Sequence, residues 1–315
     1  MLKNTNLSNT ASELKAIGRV ALCLSYNGSQ YYGWQSQKND LPTVQSHVER
    51  AASLVANEKI SVVCAGRTDK SVHSSYQVVH FETSAIRDAR SWVFGCNTHL
   101  PKDISVSWAG TVADAFHARF SATSRRYNYV IYNHPIRPAN FATELTWCHD
   151  QLNVDKMHEA AQSLVGEHDF TSFRAMGCQA KSPIRHLEFV NVTRYGNVIL
   201  LDIKGNAFLH HMVRNIAGVL MAIGAAKQKV GWCSDVLAAK DRTKASVTAS
   251  PNGLFLTQVD YPEKFKIPKS VGAPSLVQSM IDASKVQELQ DDEMWKIANL
   301  DNKIAIKPDR FYLDD

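Results

Sequence analysis

A chain of 315 residues, 44% hydrophobic and 21% charged, has room for one large or two medium domains around a sizeable core and is too apolar for a disordered segment. The longest apolar run, 216–226, is too short to span a bilayer, and the polar start MLKNTNLSNTASELK has no apolar signal core, so a cytoplasmic protein without membrane association is expected. The net charge of +5 is uneven: residues 281–315 hold nine acids against five bases, which leaves +9 on residues 1–280, a basic body of the kind a polyanion partner requires.

In chain order, residues 1–15 read as a flexible lead. The run 18–26 alternates as a strand and closes on Asn27-Gly28, a positive-φ turn signal. Tyr31-Tyr32-Gly33-Trp34-Gln35 is a polar aromatic loop, equally a half-buried surface cluster or a ligand contact. Thr43 caps a predicted helix to Ala56, with Val44, Val48, Ala51, Ala52 and Val55 on one stripe. A strand is expected over 60–65, a polar loop over 66–75 and a second strand over 76–83. That loop carries one carboxylate, Asp69, flanked by Arg67 and Lys70 and approached by His73. Loops between rigid strands often hold chemistry, yet the residues alone also fit a solvated turn in which Asp69 caps its own backbone.

Residues 88–100 predict a helix that breaks near Asn97, and 104–111 a strand. Phe116, His117, Ala118, Arg119 and Phe120 then lead through Arg125 and Arg126 into a strand over 127–132. Cations interleaved with aromatics suit phosphates and unpaired bases; an amphipathic edge strand with solvated arginines fits them too. Pro135 and Pro138 mark a crossing between halves over 133–146, and Asn153 or Asp155 caps a helix stopped by Gly166. His168 and Asp169 are adjacent and read as structural. Two strands, 185–193 and 198–204, are joined at Tyr195-Gly196-Asn197. A helix over 209–226 buries Leu209, Met212, Val213, Ile216 and Leu220, with His210, His211 and Arg214 riding on it. Arg214 lies close to that apolar stripe and calls for a carboxylate partner. The six cysteines, at 23, 64, 96, 148, 178 and 233, lack ligand spacing, so no metal and no disulfide are expected. The order of elements predicts an α+β fold, a largely antiparallel sheet with helices packed on one face.

Several of these stretches resemble one family. GRTD with the following VH and QVVHF, the earlier Tyr26–Gln37 segment, FHARFSATSRRYNYVIYN, FLHHMVRN and the Gly253-Leu254 stretch are similar, in order from about 18 to 262, to the tRNA pseudouridine synthases of the anticodon stem-loop, the TruA family. The family continues GRTD with Ala-Gly, whereas this chain has Lys70-Ser71. The resemblance implies two similar halves flanking a central basic cleft, and a homodimer sharing one tRNA to modify uridines 38 to 40. It implies Asp69 as the catalytic residue, Tyr127 packing on the target base and Arg214 reaching Asp69. It also places tRNA contacts at Arg67, at 116–120, in the loop carrying Gly177, Cys178, Gln179, Ala180 and Lys181, and at Leu254.

The chemistry suits this inventory. Moving C1′ from N1 to C5 of the same base is redox-neutral, needs no cofactor, and uses one carboxylate nucleophile on a base drawn out of its stack. A metal-dependent nuclease would need clustered carboxylates, and no dinucleotide or phosphate-loop motif is present. A non-catalytic RNA-binding module would have no use for an Asp held between Arg groups. The expected organisation is a lead (1–15), an N-terminal half (16–135), a C-terminal half (136–262) and an acidic extension of unassigned role (263–315), with short helices over 279–289 and 291–300.

Overall fold

The computed structural model describes residues 18–37, 41–270, 272 and 277–279. The expected lead and the expected helix over 291–300 lie outside these residues, as does all of the 279–289 helix except Ser279.

Ten strands form one mixed, mostly antiparallel sheet. In chain order they are β1 (Gly18–Tyr26), β2 (Val63–Cys64), β3 (His73–Thr83), β4 (Ile104–Val112), β5 (Ser124–Asn133), β6 (Thr146–Cys148), β7 (Gly166–Asp169), β8 (Ile184–Tyr195), β9 (Val198–Gly205) and β10 (Leu254–Asp260). Across the sheet they run β4-β1-β3-β10-β5-β9-β8-β7, with β2 beside β3 and β6 beside β5. Strand β10, from the far end of the sequence, fills the seam. It pairs parallel to β3 and antiparallel to β5, so that Ser74, Leu256 and Tyr127 form one row across three strands. The start of β3, and with it the loop carrying Asp69, is thereby placed level with Tyr127.

Two helices, α1 (Val44–Ala56) and α2 (Ala89–His99), cover the first half through Val44, Val48, Ala51, Trp92 and Cys96. Thr43 caps α1 by accepting from the Ser46 amide, as its position in the sequence suggests. Helix α2 does not break at Asn97. Its side-chain amide instead brackets Val106 of β4, donating to the carbonyl at 2.9 Å and accepting from the amide at 2.7 Å. Helices α3 (Val154–Ala161), α4 (Met212–Gly224) and α5 (Trp232–Ala239) close the second half around Met157, Leu164, Ile216, Leu220 and Ile223. Asn153, not Asp155, caps α3.

Several boundaries move for tertiary reasons. Strand β3 begins at His73 rather than Tyr76, because β10 supplies ladder partners to His73 and Ser74. The strand expected over 60–65 shortens to Val63–Cys64. Gly28 is not a positive-φ turn; a Cβ there would lie 2.0 Å from the Val72 carbonyl oxygen, so glycine is needed for close approach. Strand β5 is interior, flanked by β9 and β10, which removes the reading of it as an edge strand. Beyond β10, Phe265 packs on Phe116 with ring centroids 5.3 Å apart, Tyr76 donates to the Pro268 carbonyl, and Ser270 donates to the Thr257 carbonyl at 2.5 Å.

Candidate active site

The loop from Gly66 to Val72 is fastened from both sides. Gln77 in β3 donates to the Gly66 carbonyl at 2.6 Å, and the Thr68 hydroxyl pairs with the Tyr26 hydroxyl at 2.9 Å. The aromatic loop lies against its other side: the Trp34 amide donates to Thr68 O at 3.0 Å and the Ser71 amide to Tyr31 O at 3.2 Å. Gly33, at φ +87°, permits this approach, since a Cβ there would stand 2.8 Å from Thr68 O. The Val72 amide closes the turn onto Asp69 O at 3.1 Å. Ser71 sits at φ +64°, so the loop keeps a left-handed residue where the family pattern has glycine. Asp69 thus projects from backbone with little freedom, its side chain 22% exposed and open to an incoming ligand.

Arg214 meets that carboxylate. It occupies the first turn of α4, its Nη1 donates to Asp69 Oδ2 at 3.2 Å, and its Nε donates to the Ala249 carbonyl at 2.9 Å. The second bond fixes the guanidinium while the first is presented to the acid. A charge-assisted bond of this kind contributes about 1.5–3 kcal/mol.

His210 and His211 do not ride on the helix. Helix α4 starts at Met212, and His211, at φ +60°, turns the chain just before it. In extended or helical backbone adjacent side chains diverge; this left-handed residue brings the two imidazoles to 3.9 Å between centroids. His210 Nε2 lies 3.5 Å from Asp69 Oδ1, and His211 Nε2 lies 3.4 Å from Asp69 Oδ2. Burial pushes His211 down to about 4 against the opposing pull of Asp69, with Arg214, His210 and Arg242 adding to the depression. At neutral pH it is therefore an uncharged neighbour of the acid. The sequence held a signal for this pair in the doubled histidine, but nothing in it marked the turn.

The floor and walls come from β5 and its surroundings. Tyr127 is buried, its ring edge-on to Phe208 at 5.0 Å. Burial raises its phenol, and Asp69 adds to the rise, so it stays protonated. Arg125 donates to four backbone carbonyls, those of Ala65, Arg119, Ala122 and Asn206, at 2.6 to 3.2 Å. Arg126 pairs with Asp202 through both Nε and Nη2. Two of the three arginines noted in sequence are thus committed inside the protein. Arg119 is exposed, with Phe120 beneath it at 5.6 Å. Phe116 and Ala118 are fully buried and their side chains fill the core, whereas Phe120 is 77% exposed. His117 turns inward to accept from the Arg119 and Phe120 amides.

Arg67 is exposed beside Asp69. The loop 177–181 is tied to the histidine turn: the His210 amide donates to Cys178 Sγ at 3.4 Å, the Ala175 amide to His210 O at 3.0 Å, and Arg174 to Cys178 O at 2.7 Å. Gly177, Gln179 and Lys181 are exposed on it, while Cys178 and Ala180 are half-buried. Leu254 is buried at the head of β10, opposite Tyr129. His168 and Asp169 stay apart from this site, bonded to Val165 O and to Thr171. All six cysteines are free thiols.

Known proteins are similar to this chain in sequence. A family model described as tRNA pseudouridine synthase matches residues 22–121 and 160–262. A Pseudomonas aeruginosa protein named tRNA pseudouridine synthase A is 53% identical over 271 residues, covering 86% of this chain and 95% of the relative. Proteins of the same name from Salmonella typhimurium and Escherichia coli K12 are 52% and 54% identical, covering 84% and 81% of this chain and 98% and 94% of theirs. The two matched segments hold Asp69 in one and Arg214 in the other.

Proposed function

Because this chain belongs to the tRNA pseudouridine synthase family, and so is an isomerase that pseudouridylates tRNA, we propose that it acts on uridines 38, 39 and 40 of the anticodon stem-loop with Asp69 as the nucleophile. The observation that carries this reading is the Asp69 carboxylate, 22% exposed on its loop and bonded to Arg214 at 3.2 Å.

The target base leaves its stack at a cost of about a few kcal/mol, with Arg67 entering the vacated space and Tyr127 lying against the extruded ring. Asp69 attacks the nucleoside and the N1–C1′ bond breaks. The freed base turns, C5 joins C1′ as the bond to Asp69 breaks and frees the carboxylate, C5 releases a proton and N1 gains one. Protons and electrons balance, so the residues present suffice without a cofactor. Arg214 pairs with the carboxylate once RNA has excluded water, when a buried charge without a partner would be costly. Arg119, Phe120 and the 177–181 loop meet the RNA backbone and unpaired bases. The active form is a cytoplasmic homodimer that shares one tRNA across both subunits.

Incubation with an unmodified tRNA bearing uridines at these positions, followed by carbodiimide treatment and reverse transcription, tests both activity and position. Stops at 38 to 40 are expected with the wild type and none with Asp69→Asn. Stops elsewhere, or stops that persist in Asp69→Asn, refute the reading.

A further inference from the structure

We propose that Asp69, His210 and His211 form a three-ligand site for a divalent cation of the zinc class, and that its occupancy withholds the carboxylate from uridine. The second half rests on Asp69 being the nucleophile; the first does not.

The donor spacing supports the site. Tetrahedral zinc holds nitrogen and oxygen ligands at about 2.0–2.1 Å, which sets neighbouring donors about 3.4 Å apart. Here Asp69 Oδ1 stands 3.5 Å from His210 Nε2 and Asp69 Oδ2 stands 3.4 Å from His211 Nε2, so each ring faces its own carboxylate oxygen, and one donor atom from each of the three residues lies within 4.8 Å of the others. Two imidazoles and a carboxylate, with a fourth position open to water, form a set that zinc accepts. Magnesium and calcium ask for six or more oxygens, which this cluster does not offer. The left-handed backbone at His211 is what points both rings at one acid.

Arg214 opposes the cation. It already donates to Oδ2 and is held in place by Ala249, and Arg67 and Lys70 flank Asp69 in the chain. Binding is therefore weaker than at a structural zinc site, and a chelator reverses it. Cys178 Sγ, bonded to the His210 amide, is a nearby thiol and has to be separated from the imidazoles by test.

Cobalt(II) serves as the probe, titrated into the full chain without RNA and followed by visible absorption. One equivalent per chain is expected, displaced by zinc, with affinity falling at least tenfold in a His210→Gln/His211→Gln variant and in Asp69→Asn but retained in Cys178→Ser. Circular dichroism checks that each variant is folded. Unchanged cobalt affinity in the double histidine variant, or loss in Cys178→Ser alone, overturns the site. Zinc is expected to stop isomerisation in proportion to occupancy, with recovery on adding chelator. Full activity at saturating zinc overturns the occlusion, and isomerisation that persists in metal-free Asp69→Asn would instead refute the role of Asp69 while the wild type's cobalt spectrum still stood.

Discussion

Asp69 and Arg214, 145 residues apart, meet at 3.2 Å because β10 zips the start of β3 to β5 and the Ala249 carbonyl, just ahead of β10, holds the guanidinium. One arginine thus links the acid's loop, the first turn of α4 and the approach to β10. Lysine keeps the charge but cannot serve both acceptors with a planar fork. Arg214→Lys is expected to lower kcat on tRNA by about 10- to 100-fold, the loss of one charge-assisted bond of about 1.5–3 kcal/mol. KM should move much less, since RNA contacts elsewhere are untouched. Single-turnover kinetics at saturating enzyme measure the split.

Gly218 lets the strap at 247–249 lie directly on α4. A Cβ there would fall 2.2 Å from the Val247 carbonyl oxygen, and that strap delivers Ala249 to Arg214. Gly218→Ala should therefore cost about 1–3 kcal/mol in urea unfolding, the usual range for overpacking, and should lower activity further than its stability loss explains. A variant with wild-type stability and activity would show that the strap has slack.

Arg125 looks in sequence like a phosphate ligand, but it donates to the carbonyls of Ala65 just after β2, of the 119–122 loop and of the turn after β9. Removing it strands two partly buried acceptors, the Ala65 and Ala122 carbonyls, at about 1–3 kcal/mol for each that water cannot reach. Arg125→Met is expected to unfold at markedly lower urea. Arg119→Met should keep its stability and bind tRNA more weakly in filter assays. The reverse pattern would return Arg125 to the RNA surface.

The contrast between Arg119 and Arg125 marks what the sequence could tell. Elements with strong local signals, such as the Thr43-capped α1 or the hairpin at Gly196, are specified by nearby residues. Arg214 was legible as an arginine beside an apolar helix stripe that calls for a carboxylate, whereas Asp69, whose loop alone also fits a solvated turn, and its pairing with Arg214 were legible only through the family resemblance. What stayed hidden depends on distant segments. Strand β3 starts early because β10 and the end of β1 lie beside it, and His210 and His211 converge through a backbone turn at His211. Arg125 and Arg119 share a residue type and a neighbourhood, and only tertiary contacts sort one into the interior.

Histidines set the pH response above the carboxylate range. His80 is pushed from 6.5 down to about 4, mainly by burial and then by His117 and Arg19, and its Nδ1 accepts from the Ala118 amide at 3.1 Å, a bond that protonation destroys. His211 is likewise lowered to about 4. Between these values the unfolded chain carries the proton and the folded one does not, so stability falls as pH drops from about 6.5 toward 4. Glu58, lowered from 4.5 to about 2 by hydrogen bonds from Thr83 and Ser84, loses its contribution only in that lower window. Thermal melts from pH 8 to 4 should show the first decline, reduced in His80→Gln; an unchanged slope in that variant would assign the response to other groups.

Ser71 tests how much the acid depends on its loop. It holds φ +64° and donates its amide to Tyr31 O at 3.2 Å. A left-handed residue other than glycine carries about 1–2 kcal/mol of strain, while glycine adds about 0.5–1 kcal/mol of freedom to the unfolded chain. These nearly offset, so Ser71→Gly should leave both stability and activity close to wild type. A β-branched side chain fits this region worst, and Ser71→Val should lose about 1–2 kcal/mol. Activity should drop further, because the strain is relieved by moving the turn that aims Asp69 at Arg214. Urea unfolding beside single-turnover rates separates the two effects, and a Val variant with a wild-type rate would mean that the aim of Asp69 is set elsewhere.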